Sequence, residues 1–344
     1  MLDVLRADSR GLVDEISSFL VKPADEIDHE LTVTDRVRIL AGTADLNQRA
    51  AAGETDAFYH QQLLLSRLYD LTLQIPDGPT ADGSVLVHEI TRMLERAVAE
   101  REDRRIAPGL IESAPSDPKK YVSWLKAQAR GHRVFKHPFY TDFIRNHANS
   151  EHIRTYMIQE SVVDGRFDDL LALMQLGSSG PTKMEIANNF WDEMGNGNPD
   201  EVHTHLFNQI FEVFEVSAEE LNQSLTATSL LSGNLAVMLC RYRQSFPEAV
   251  GFLGMTEWLV PDRFVNVVHA WERLGLPDVG IVYHRLHITV DSLHAAGWFH
   301  NVVEPAATSD YMRRGITRGT LWRLNSSCQY LDERMAEVNV EVDR

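Results

Sequence analysis

The sequence predicts an all-α protein. Apolar residues recur at helical spacing along nearly the whole chain. The few strand-like runs, 265–268 and 279–283, are short and sit inside longer helical patterns. Clusters of Gly and Pro divide the chain at helix-sized intervals.

Taken in order, Leu2, Leu5, Leu12, Ile16, Phe19 and Leu20 fall at steps of three, four and seven and define the first helical face. Residues 55–74 repeat the pattern through Phe58, Leu63, Leu64, Leu65, Leu68 and Leu71. Residues 84–105 form a third helix, opened by Ser84 and closed by the solvated charge run 100–105. Residues 106–118, rich in Pro, Ser and Gly and poor in periodicity, mark the expected boundary. Beyond it, helices are expected over 121–131, 139–147, 150–176, 182–194, 199–216, 230–246, 247–259, 262–274, 279–303 and 309–338, for 12 or more in all. The expected organisation is a helical N-terminal part over 1–110, serving as a dimer or packing extension, a core over 111–338 and a tail over 339–344.

Composition narrows the function classes. The chain of 344 residues carries 33 Lys+Arg against 50 Asp+Glu, a net charge of −17. That excludes the basic stripe needed for nucleic acid and disfavours an anionic membrane surface. Cys240 and Cys328 are the two cysteines and form no CxxC, which excludes a disulfide framework or a zinc finger and fits a reducing cytoplasm. The first residues hold no secretory apolar segment, and no run approaches the ~18 apolar residues of a membrane span.

The chemistry concentrates in His287, Asp291 and His294. Offsets of four and seven place all three on one stripe of one helix. Two imidazoles and a carboxylate on one face suit iron or another transition metal. Glu193 and His203 flank Gly195-Asn196-Gly197-Asn198, so one ends a helix and the other begins the next. Asn198 is the expected N-cap, with Pro199 in the first turn and Glu201 closing a capping box. His205, two residues from His203, is about 200° round the helix and faces away. Glu160 and Glu257 sit in apolar company, which is costly for a carboxylate unless it is paired or metal-bound; Asp164 and Glu151 compete for the place given to Glu160. Four carboxylates and three imidazoles are about what two metals sharing carboxylates require. No Glu-x-x-His occurs among them, so the ferritin-like pattern does not fit.

These seven residues, in this order and spacing, resemble the haem-oxygenase-like di-iron oxidases and oxygenases over roughly residues 115–335. The resemblance rests on the Glu193-x9-His203 spacing and the final His287-x3-Asp291-x2-His294 triplet. It implies about seven core helices around a non-haem site. Two Fe(II) would be held by Glu160, Glu193, His203, Glu257, His287, Asp291 and His294. O2 would be the co-substrate, reacting through a peroxo-bridged diferric intermediate. It implies a small amino acid or amine as substrate in specialised metabolism, ranked as desaturation, C–C cleavage or cyclisation first and N-oxygenation of an amine or guanidine second. The presence of Glu257 resembles the N-oxygenating branch. An external electron donor and a homodimer complete the expected partners. The resemblance also implies a labile site whose last ligand helix orders on binding iron, a melting that Pro277, Gly280 and Gly297 would ease. Arg154 and Arg285 are candidates for a substrate carboxylate, and His284, Asn188 and Asn189 for an amine. Tyr156, Phe190, Trp191, Trp258 and Tyr283 are expected as pocket wall or core. Against this stand a true haem oxygenase, which needs no carboxylate cluster, and a metal-free helical binding protein of the same fold. A hydrolase would need a GxSxG or Cys-His pattern that is missing.

Overall fold

A computed structural model describes the backbone of residues 8–342 and the side chains of residues 8–338. Leu2 and Leu5 lie outside the described residues. Among the described residues there is helix, turn and loop and no strand, so the all-α expectation holds. Residues through Arg104 form one compact unit and those from Arg105 a second.

The first unit contains α1 (Ser9–Leu20), α2 (Ala24–Glu30), α3 (Val33–Ala51), α4 (Thr55–Leu73) and α5 (Val85–Arg104). Leu12, Ile16, Phe19 and Leu20 are buried, as their spacing requires. Helices α2 and α3 fall in a stretch where no apolar stripe stands out. Helix α3 starts instead on a capping box, in which the Thr32 hydroxyl accepts from the Asp35 N–H while the Asp35 carboxylate accepts from that of Thr32.

The second unit begins with α6 (Pro118–Gly131) and a π-helical stretch, Phe139–His147. There follow α7 (Ser150–Asp164), α8 (Phe167–Gln175), α9 (Gly180–Glu193), α10 (His203–Val213) and α11 (Ala218–Gln223). The long elements are α12 (Ala227–Arg241), α13 (Phe246–Leu274), α14 (Val282–Trp298) and, after the one-turn α15 (Glu304–Ala306), α16 (Asp310–Val342). The last helix continues through four residues of the segment expected to be tail.

Several expected helices have different bounds. Residues 150–176 break at Gly165-Arg166 into α7 and α8. Residues 247–274 form a single helix despite Pro261. The proline removes one backbone donor, but α13 is packed along its length by α14 and α16, and burial on several faces outweighs the lost bond. The expected capping box at Glu201 does not form. Asn198 accepts from the Asp200 N–H at 3.2 Å, closing only the short turn Pro199–Glu201, and α10 starts afterwards at His203.

Two close approaches fix the core. A Cβ on Gly251 would lie 2.0 Å from the Ile316 carbonyl oxygen, and one on Gly319 would lie 1.9 Å from that of Glu248. Glycine at both positions lets the α13 and α16 backbones touch. Trp298, fully buried, donates its indole N–H to the Val250 carbonyl at 3.0 Å, which fastens the end of α14 to α13.

Candidate metal centre

The segment between α9 and α10 brings the first pair together. Gly195 (φ 59°), Asn196 (53°) and Gly197 (88°) take left-handed conformations. A Cβ on Gly195 would stand 2.6 Å from the Glu201 carbonyl carbon. The chain can double back here only on a glycine. The reversal sets His203 Nδ1 2.9 Å from Glu193 Oε2. Helix α14 supplies His287, Asp291 and His294 from one face, and α13 supplies Glu257.

Six of the seven expected residues therefore converge in two triads. Glu193, His203 and His287 form one, and Glu257, Asp291 and His294 form the other. Within each triad the three donor atoms lie within 4.8 Å of one another, and all six side chains are buried. Asp291 joins the triads. Its Oδ1 is 3.9 Å from His287 Nε2 and 4.0 Å from His294 Nδ1.

The ring nitrogens are sorted by their outer partners. His287 Nδ1 donates to the Tyr283 carbonyl at 2.8 Å, leaving Nε2 to face Glu193 and Asp291. His294 Nε2 meets Asp192 at 3.0 Å, leaving Nδ1 toward Glu257 and Asp291. Such outer carboxylate and carbonyl partners orient metal-binding imidazoles.

The donors are aimed at a common space rather than at each other. His203 Nδ1, despite its closeness to Glu193, lacks the alignment of a hydrogen bond, and His294 Nδ1 and Glu257 Oε1 are buried without a hydrogen-bond partner. Buried polar atoms of this kind are costly unless something satisfies them. A divalent cation would do so, and mixed imidazole and carboxylate donors suit iron, manganese or zinc.

Electrostatics agree. Burial pushes the Asp291 carboxyl well above the usual range, and Glu257, Glu193 and Asp164 push it further. Burial also raises Glu193, but the His203 and His287 imidazoles beside it hold it down to about 2. Burial lowers His294, yet Glu257 and Asp192 raise it to about 9. Without a cation, thermal stability is expected to fall on both sides of neutrality. The Glu193 contribution is present above about pH 4.5 and is lost as pH falls through about 2. The His294 contribution is present below about pH 6.5 and is lost as pH rises through about 9. A cation displaces the His294 proton, so the alkaline loss should vanish on loading. Thermal unfolding from pH 6 to 10 with and without ferrous iron tests this; an equal alkaline loss in both would remove His294 from the ligand set.

Glu160 joins neither triad. It lies in the field of Arg263 and Arg323, with the Tyr330 hydroxyl beside it. Asp164, one turn later on α7, lies in the electrostatic field of the triads. It feels Glu193, and it acts in turn on Asp291 and Tyr283. Tyr283 is also a neighbour of the site: its ring centroid lies 4.0 Å from that of His287, the planes tilted by 38°, and burial together with four carboxylates pushes its hydroxyl pKa up.

Other candidates are engaged elsewhere. Arg285 pairs with Glu272 and Asp278, and Arg154 with Glu220. Asn188 is exposed, and Asn189 donates to the Glu185 carbonyl. His284 is fully buried beside Phe207, Phe264 and Tyr283 with both ring nitrogens unpartnered; burial and His287 lower its pKa to about 3. His205 is exposed, as its helical offset requires, and Trp191 is 52% exposed. A third group, His137, Cys328 and Asp332, already holds the Arg133 guanidinium on Asp332 and Cys328.

A family profile described as iron-containing redox enzyme matches residues 154–327, a span that includes both triads, Glu160 and Asp164. No curated protein matches the chain.

Proposed function

Since the chain belongs to the iron-containing redox enzyme family, we propose that it is an O2-dependent non-haem di-iron oxidase acting on a small amino acid or amine, by desaturation, C–C cleavage or cyclisation. The observation that carries the two-metal reading is the single Asp291 oxygen placed between two buried triads. One triad alone would make a mononuclear site; a shared carboxylate suits a pair of cations.

Bound ferrous ions would supply the electrons that reduce O2. Glu193, His203 and His287 would hold one, Glu257, Asp291 and His294 the other. The remaining work falls to the chain's own side chains. Asp192 and the Tyr283 carbonyl fix the imidazole orientations. Burial, and then the neighbouring Glu160 and Glu193, push the Asp164 carboxyl well above its usual range, while Arg323 and Arg263 pull it down. Phe207, Phe264 and Tyr283 line the His203–His287 side with aromatic surface that excludes water.

Anaerobic reconstitution with ferrous iron followed by elemental analysis is expected to give two irons per chain. His203→Ala and His294→Ala should abolish O2 consumption, whereas His205→Ala should retain it. A stoichiometry of one that survives Glu193→Ala would overturn the proposal.

A further inference from the structure

Residues 118–141 carry Lys119, Lys120, Lys126, Arg130, Arg133 and Lys136 and no Asp or Glu, in a chain whose net charge is −17. The fold gathers the end of this segment into an open pocket of about 630 Å³, lined by the end of α6, the short turn Arg133–Lys136 and α16. That volume lies in the range of small-molecule sites, roughly 300–1,000 Å³. Arg130, Arg133 and Lys136 give the wall its positive charge, and Phe135, Pro138 and Met335 its apolar surface. Asp332 is the single acid among the described residues that line it.

The turn is clamped from behind. His132 Nε2 meets Asn325 Oδ1 at 3.2 Å, and its Nδ1 accepts from the Val134 N–H at 3.2 Å. His137 Nε2 donates to Asp332 Oδ1 at 3.1 Å, and its Nδ1 accepts from the Phe139 N–H at 3.2 Å. Each imidazole spends both nitrogens on fixing the turn against α16, which leaves neither for a ligand. Asp332 is engaged as well, since the Arg133 guanidinium donates to it and, at 3.3 Å, to Cys328 Sγ. The cations of the wall therefore stand on a backbone that needs no ordering when a ligand arrives.

The clamp does not neutralise them. Lys136 is exposed, and neither it nor Arg130 has a carboxylate within 4.0 Å among the described residues. The Arg130 guanidinium lies over the Trp258 ring, 5.2 Å from its centroid. One turn earlier on α6, burial and then the Arg130 charge lower the Lys126 pKa. Like charges held together in a concave wall focus a field that attracts an anion.

We propose that this pocket, which shares no residue with the metal triads, is a second ligand site that takes a small organic anion, its carboxylate or phosphate at Arg130, Arg133 and Lys136 and its apolar body against Phe135, Pro138 and Met335. The apolar wall favours an organic anion over an inorganic one, which would leave that surface uncovered. The binding needs no iron and does not rest on the proposed reaction.

The test is calorimetric titration of the full chain, metal-free and iron-loaded, with phenyl phosphate, benzoate, inorganic phosphate and benzylamine. Phenyl phosphate or benzoate is expected to bind once per chain in both metal states. Inorganic phosphate should bind at least about tenfold more weakly, and benzylamine should not bind. The tighter of the two aryl anions tells an organic phosphate site from an organic acid site. Lys136→Gln should weaken it by roughly tenfold, one lost charge-assisted contact, and Lys136→Arg should retain it. Lys183→Gln, at an exposed lysine of α9 outside the pocket, should change nothing. The Trp258 ring lies 5.7 Å from that of Phe135, so binding should change indole fluorescence, and Trp258→Phe should remove that change. The proposal is overturned if neither aryl anion binds, if inorganic phosphate or benzylamine binds as tightly, or if Lys136→Gln and Lys183→Gln act alike. Binding confined to the iron-loaded form and indifferent to Lys136→Gln would place the anion on the metal and overturn it equally.

Discussion

Asp291→Asn is expected to strip the ferrous protein of at least one iron and of its O2 consumption, while making the metal-free protein more stable. The two effects have opposite signs because the carboxylate has two environments. Asp291 Oδ1 faces both triads, where it would serve cations held there. Losing an outer-sphere partner costs about 10–100-fold in metal affinity, so losing this shared donor should exceed roughly 100-fold. Without cations, Asp291 is buried among Glu257, Glu193 and Asp164, and its pKa is raised well above 3.8. A carboxyl raised on folding opposes folding at every pH above its unfolded value, because the unfolded chain ionises and the folded one resists. Asparagine matches the protonated shape without that penalty. Metal analysis and thermal unfolding of the same variant test both halves. A uniform loss of stability in both forms would mean that Asp291 is a packing residue.

Hydrogen exchange should slow by about tenfold or more across the middle of α14 when ferrous iron is added to the metal-free protein. This helix carries His287, Asp291 and His294 into the core, and His284 enters an aromatic wall with both ring nitrogens unpartnered. Unloaded, these groups leave desolvation uncompensated. A cation supplies the partner missing at the triad residues, so part of its binding free energy should appear as local folding. The two ends differ. Trp298 is hydrogen-bonded to the Val250 carbonyl and packed where Gly254 leaves room, so protection there should already be high. Gly297 admits the Glu185 carboxylate, since a Cβ would lie 2.1 Å from Glu185 Oε1; its place in α14 follows from close packing as well as from any ease of melting. Residues 55–73 in α4 should exchange equally in both states. Equal protection across α14 would mean a preformed site.

How much of this was legible in the sequence depends on the range of the interaction. Helical periodicity reports which face of a segment is apolar, so the all-α fold and the buried stripe of α1 could be read directly. Spacing within one helix is rigid, which is why His287, Asp291 and His294 could be placed on one stripe and His205 turned away. The Glu193–His203 pairing was legible for a related reason: Gly195 and Gly197 mark a local reversal, and both partners lie within reach of it. The failures were equally local in appearance. Asn198 satisfied a nearer donor than the capping box required, and Pro261 did not end α13 because neighbouring helices held it.

Glu160 and Asp164 mark where the sequence stops. They sit one turn apart on the same face of α7, in similar apolar company, and periodicity gives them equal claims. What separates them comes from far along the chain. Arg263 on α13 and Arg323 on α16 act on both acids, whereas Glu193 from the end of α9 and Asp291 on α14 interact electrostatically with Asp164. A carboxylate's role follows from the charges placed around it. The sequence by itself determined the helices, the ligand stripe and the donor types; only the packing of α7, α9, α13, α14 and α16 decided which acid enters the electrostatic field of the buried triads.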